Sequence, residues 1–200
     1  MTRVIDLPDV PRWVEAHGIA ADPTHWRREL PNGTIALGHD AARLAVLIGD
    51  PIDLGPSHTL LTTTPLPRST RAILHELDGE APDYEGAVLL PADAPVPEYL
   101  AAELTWARTR GPIFTCYLDG EPAAFAYAPW RSATRFDVSV DVVPAARQLG
   151  LGCIVASALI HGEAPLRPVW GADENNYASL RLAARLGFQP TDEIWVAPSS

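Results

Sequence analysis

The sequence predicts a mixed α/β fold with a hairpin-rich sheet, and three observations predict it. From Pro97 onward, helix-like and strand-like runs follow one another as helix, three strands, helix, strand, helix, strand. Asp119-Gly120 separates two apolar runs as a two-residue hairpin turn does. The stretch "TRFDVSVDVV" alternates with period two, putting Phe136, Val138, Val140 and Val142 on one face and Asp137, Ser139 and Asp141 on the other.

The elements read in order as follows. "DVPRWVEAHGIA" suits a short helix, with Val10, Trp13, Val14 and Ala16 as its apolar set. "RLAVLIG" is apolar after its first residue and closes on Gly49-Asp50-Pro51, as a buried strand does. "RSTRAILHELDG" reads as a helix, capped by Ser69 or Thr70, with Ile73, Leu74 and Leu77 on one face. "GAVLL" is a short strand. "PEYLAAELTWARTRG" opens on proline, ends on basic residues and glycine, and aligns Leu100, Leu104 and Ala107, so a helix is expected. After the hairpin and the alternating strand come an apolar helix, "CIVASALIHG", and a strand, "RPVWGA". An amphipathic helix, "NNYASLRLAARLGF", then ends at Gly187, and "EIWVA" closes the chain as a strand. Residues 1–82 are expected to form an α/β elaboration covering the sheet of residues 83–200, or to join it in one compact domain.

A formal charge of −10 argues against nonspecific nucleic-acid binding, which needs cationic side chains to neutralise phosphate, and it favours a cationic substrate. Cys116 and Cys153 each lie in an apolar run and read as small buried hydrophobes. "MTRVIDLPDV" lacks a secretory apolar region and no run is long enough to span a bilayer, so a cytoplasmic protein without a membrane partner is expected. The six histidines show no ligand spacing, and no metal site is expected. The tryptophans, Trp106, Trp130 and Trp170 among them, read as core or pocket wall.

"VVPAARQLGLG" (Val142 to Gly152) brings a strand to a proline, then R-x-x-G-x-G, then a helix. Pro144 has no amide hydrogen and ends the ladder. The first helical turn offers unpaired amides and a partial positive charge, and glycines let the backbone approach an anion closely. A pyrophosphate matches such a site. Neither a Walker G-x-x-x-x-G-K nor a G-x-G-x-x-G opening a βαβ unit occurs, so a mononucleotide or dinucleotide fold is the weaker reading.

Taken with "WGADENNYASLRLAARLGF", this stretch resembles the acetyl-CoA-dependent N-acetyltransferase superfamily known as GNAT. Strand, proline, R-x-x-G-x-G and helix match one family signature. Asn176, Ser179, Leu182, Ala183, Arg185, Gly187 and Phe188 match the later one. The resemblance covers roughly residues 97–200, and the first half carries no family motif. It implies acetyl-CoA as acyl donor and an amine acceptor, with a small molecule favoured over a protein. It also implies that Arg147 opens the pyrophosphate loop and that the amides of Gln148, Leu149, Gly150, Leu151, Gly152 and Cys153 cradle the anion. Val140 and Val142 would pair with the pantetheine arm through their backbone, as an added strand would. Asn176 and Ser179 would lie near the cofactor.

Amine attack on a thioester needs a base, because an alkylamine with a pKa near ~10 is mostly protonated at neutral pH. Asp137 is the first candidate and Asp141 the second, both on the polar face of the strand expected beside the acetyl group. Asp173 and Glu174 rank lower, as loop carboxylates. The position that often holds a tyrosine acid in the family is Ala183 here, and Tyr177 lies six residues earlier. That departure leaves an alternative in view, a weakly catalytic module that binds CoA and senses it.

Overall fold

A computed structural model describes residues 6–51, 54 and 58–198, so the first five residues of "MTRVIDLPDV" lie outside the described residues. A 3-10 turn (Pro11–Trp13) leads into α1 (Val14–Ala21). Five strands follow: β1 (Trp26–Glu29), β2 (Ile35–His39), β3 (Leu44–Ile48), β4 (Thr59–Thr62) and β5 (Thr70–Leu77). The second half continues with β6 (Val88–Leu89), α2 (Glu98–Arg108), β7 (Phe114–Leu118), β8 (Glu121–Tyr127), β9 (Arg135–Asp137) and β10 (Ser139–Val142). It ends with α3 (Leu151–Gly162), β11 (Arg167–Asp173), α4 (Tyr177–Arg185) and β12 (Phe188–Ala197).

Two sheets result. The larger has the order β1-β2-β3-β4-β12-β5-β11-β9 and the smaller β10-β8-β7-β6. The mixed α/β class is therefore as the sequence predicts. The Asp119-Gly120 turn joins β7 to β8 with both residues at positive φ, +53° and +87°. Helix α2 buries Leu100, Leu104 and Ala107 against Phe125 and Tyr127 of β8. On the opposite face of the small sheet, α3 packs Val155, Ala156, Leu159 and Ile160 against Ala124 and Ala126.

The alternating run is one strand in pattern and two in pairing. β9 runs parallel to β11 as far as Asp137 opposite Val169, and the Val138 amide donates to the Val169 carbonyl at 2.9 Å. From Ser139 the chain pairs with β8 instead. Side-chain alternation survives the change: Phe136 and Val138 are buried, and Val140 and Val142 pack against the same cluster. A period of two reports faces and is silent about which neighbour bonds the backbone. The two sheets part at this point, and β10 is the outer strand of the smaller one. The Val143 amide donates to Ala123 at 2.9 Å, which sets the parity of the antiparallel ladder. Ser139 and Asp141 thus turn their N–H and C=O toward β8, while Val140 and Val142 turn theirs to the open edge.

The stretch expected to be a helix at Thr70–Leu77 is strand β5. It lies between β12 and β11 and pairs antiparallel with both. Ala72 and Leu74 are buried on one side and His75 on the other. Ile73, Leu74 and Leu77 fall at spacings that a helical face would also show, and eight residues are too few for the period to decide. The closing strand is also longer than "EIWVA", since β12 begins at Phe188 directly after α4.

The large sheet curls around α1. Trp13, Ala16 and Ile19 meet Leu37, Leu61, Leu74 and Ile194 in one cluster, and Trp130 closes it. Gly18 allows the close approach, since a Cβ there would stand 2.9 Å from the Trp130 ring. One turn before it on the same helix face is Glu15. Strand β5 crosses the expected division at residue 82, because both of its partners belong to the second half. A chain begun at residue 83 should therefore fail to fold: β11 and β12 would lose their shared neighbour, and their backbone groups would be left unpaired. Far-ultraviolet circular dichroism and a thermal melt of the truncated chain check this, and a cooperative melt near the full chain's midpoint would refute it.

Candidate active site

Past Val142 the chain makes a 3-10 turn over Pro144–Ala146 and reaches Gln148 at φ +65° and Gly150 at φ +84°. Gly150 starts α3 from the left-handed region, where a side chain would be strained, and a Cβ built on it meets nothing within 4 Å. The space in front of this turn is open. Among the described residues, the amides of Gln148, Leu149, Gly150, Leu151 and Gly152 donate to no backbone carbonyl. The Cys153 amide is already engaged with the Gly150 carbonyl at 3.0 Å. Gly152 serves packing as well, since a Cβ there would stand 3.1 Å from Leu182 of α4. Arg147 is exposed, and its Nε reaches back to the Val142 carbonyl at 3.4 Å. Burial raises the Cys153 thiol pKa, so it stays a thiol. Free amides, a helix start and the open edge of β10 lie consecutively along the chain, and this arrangement fits an elongated ligand ending in phosphates.

Asn176 and Ser179 have local partners. Asn176 caps α4, its Oδ1 accepting from the Ser179 amide at 3.1 Å. The Ser179 hydroxyl accepts from the Trp170 indole at 2.9 Å. The Asn176 amide group and the Ser179 hydroxyl proton remain as possible donors to a ligand. Ala183 is fully buried and Tyr177 is exposed, so neither brings a proton donor to the gap between the sheets.

Beside that gap lies a cavity of about 560 Å³. Its walls come from both halves of the chain: Glu15 from α1, Leu61 from β4, Glu103 and Trp106 from α2, and Asp137 and Ser139 from the strand break. Asp137 sits where pairing with β11 stops. Burial raises its pKa to about 7. Burial also raises Glu15 to about 8, and the charge of Asp137 adds to that rise. Two carboxyls whose charges interact titrate together, and burial keeps Glu15 protonated at neutral pH. Glu15 Oε2 is buried without a hydrogen-bond partner, and so is Trp106 Nε1.

Asp141 occupies a different setting from Asp137. The Tyr127 hydroxyl lies 2.5 Å from Glu103 and 3.0 Å from Asp141. One hydroxyl proton cannot serve two carboxylates, and burial with the nearby Glu103 charge raises the Asp141 pKa against the Tyr127 bond. Behind Trp106 and Trp130, whose rings are 5.2 Å apart, Arg110 stacks on both and pairs with Asp22. Two bonds from Thr24 and the Arg110 pairing hold Asp22 well below the usual carboxylate range. This cluster props up the tryptophan wall. Asp173 lies low as well, held by hydrogen bonds from Asn175 and Thr70, and Glu174 is paired with Arg71, so both are committed elsewhere.

The sequence did not point to Glu15, Glu103 or Tyr127. Glu15 follows a valine in a short apolar helix, and an unmatched carboxylate among core residues was the available signal.

Residues 108–196 match the family model of the GNAT acetyltransferases. No functionally curated protein matches the chain in sequence. Among solved structures, a GNAT-family protein from Novosphingobium aromaticivorans DSM 12444 superposes with a TM-score of 0.67 at 19% identity, covering 96% of this chain and 98% of that one. A GCN5-related N-acetyltransferase-like protein from Streptococcus suis 89/1591 gives 0.62 at 14% identity, with 93% and 97% covered. A tandem GNAT protein from the clavulanic acid biosynthesis pathway gives 0.51 at 14%, with 94% of each chain covered. At these identities the likeness establishes the fold, and its coverage takes in the first half as well as the second.

Proposed function

We propose that this chain, whose residues 108–196 match the family model of the GNAT acetyltransferases, transfers an acetyl group from acetyl-CoA to a primary amine of a small molecule, with Asp137 as the base. The observation that carries the reading is Asp137 at the parting of the sheets, on the wall of a cavity and next to the open edge of β10. When bound, acetyl-CoA supplies the thioester carbonyl that the amine attacks. The chain's own residues do the rest. The amides of Gln148 through Gly152 receive the pyrophosphate, with Arg147 at the loop's entrance. Val140 and Val142 offer backbone groups to the pantetheine. Asp137 takes the ammonium proton, directly or through a water, and its raised pKa brings it close to the working pH, where a base is most effective. Glu15, raised to about 8 by burial and by the charge of Asp137, stays protonated on the same wall. Asp141, tied to Tyr127 and Glu103, is the second candidate.

Among the described residues no helix is long and apolar enough to cross a membrane, in keeping with a cytoplasmic enzyme. The buried Ala183, which stands where an acid often stands in the family, favours the second reading, a CoA-binding module without turnover. Release of free CoA thiol, measured against a panel of amines, separates the two. Turnover with any amine is the expected result. Tight acetyl-CoA binding with no release across the panel would overturn the transferase reading. All fifteen basic residues are arginine, so no lysine side chain can consume acetyl-CoA in the blank.

A further inference from the structure

The cavity beside Asp137 is lined by more acidic groups than one amine requires. Glu15, Glu103 and Asp137 reach it from three separate elements, and among the described residues no basic side chain lines it. Arg110, the nearest cation behind the tryptophans, is committed to Asp22. The acidic groups form two centres. One is the Glu15–Asp137 pair, where Glu15 Oε2 is buried with no donor to meet it. The other is Glu103, which shares the Tyr127 hydroxyl with Asp141. The same wall carries the apolar Ala42, Leu44, Leu61 and Ala102. A carboxyl oxygen buried without a partner is costly, and a cationic N–H removes that cost on binding. An acceptor with a carboxylate of its own meets like charge at both centres.

We propose, resting on the acetyl-transfer reading above, that the acceptor is a small organic dication, with two ammonium groups on a short hydrocarbon spacer. One ammonium enters at Glu15 and Asp137 and gives up its proton there. The other keeps its charge and is held at Glu103. The spacer lies along the alanine and leucine wall.

The test uses the full chain, acetyl-CoA and α,ω-diamines of three to five carbons, compared with the alkylamine, amino alcohol and amino acid of equal length. The expected kcat/KM for the best diamine exceeds that of its alkylamine by about 10–100-fold, the worth of one charged hydrogen bond, and the amino acid is the poorest acceptor. Glu103→Gln should bring the diamine-to-alkylamine ratio close to one; its melting temperature and acetyl-CoA affinity establish that the variant is folded. Equal turnover of diamine and alkylamine, or a ratio unmoved by Glu103→Gln, overturns the dication while leaving acetyl transfer standing. If no amine releases CoA, the transfer reading falls. Calorimetry with the same compounds then still decides: tighter binding of the diamine supports charge recognition, and equal binding overturns it.

Discussion

Asp137→Asn lowers kcat by about 10²–10⁴-fold, the usual worth of a positioned base, and leaves the KM for acetyl-CoA unchanged. The carboxylate lies on the cavity wall, away from the α3 loop, so its loss falls on the proton and not on cofactor affinity. In the native chain kcat/KM should climb with pH through a limb near 7, where Asp137 loses its proton, and that limb should vanish in the variant. Glu15→Gln added to Asp137→Asn should cost little more, because a protonated Glu15 takes no proton from the amine and neighbouring groups whose charges interact are not additive. Stability moves the other way. A carboxyl whose folded pKa is raised binds its proton more tightly in the native state, so stability is full below the unfolded value near 4 and declines as pH rises toward 7–8. Asp137→Asn removes its own share of that decline, and its melting temperature at pH 8 should exceed the native one by about 2–4 °C, what ~1 kcal/mol is worth in a chain of this size. Steady-state kinetics across pH and a melt at pH 5 and pH 8 check both halves. A native rate with a native pH limb would move the base to Asp141 or to water.

Gly150→Glu should weaken acetyl-CoA binding by at least about 100-fold, the scale of one lost charge-assisted contact joined to like-charge repulsion. A Cβ at Gly150 meets no protein atom within 4 Å, so the carboxylate would project into the open space in which the proposed pyrophosphate would sit. The fold pays only for a non-glycine residue at φ +84°, about 1–2 kcal/mol. Gly150→Ala carries the same backbone strain without the charge and isolates the electrostatic part. Calorimetry of the three chains with acetyl-CoA gives the comparison. Native affinity in Gly150→Glu would remove the anion from this turn.

The second half was legible because its signals are local. Pro144 and Gly150 bracket the turn, Leu100, Leu104 and Ala107 recur at helical spacing, and Asp119-Gly120 forms its turn from two residues. Asp137 was legible as well, since alternation alone puts it opposite Phe136 and Val138. Its setting was not. Burial raises its pKa, and the neighbour that its charge acts on, Glu15, is 122 positions away; nothing in a short apolar helix announces which strand it will meet. The change of sheets at Val138 is invisible for a related reason: alternation is unaltered when the backbone exchanges one neighbour for another. β5 misled because Ile73, Leu74 and Leu77 satisfy a helical stripe, and the strands that impose the extended form lie far along the chain. The tryptophan wall needed Trp106 from α2 and Trp130 from beyond β8 to be brought together.

The central place of β5 also bears on how the chain is made. Its partners β11 and β12 begin 90 and 111 residues after β5 ends at Leu77. At about 5–20 residues per second of synthesis, β5 leaves the ribosome roughly 5–20 s before either partner exists. During that interval the nascent segment carries two bare edges around the apolar Ala72, Ile73 and Leu74, which invites pairing with a neighbouring chain on the same message. Yield should therefore depend on translation speed and on chaperones that hold extended segments, more than on the stability of the finished sheet.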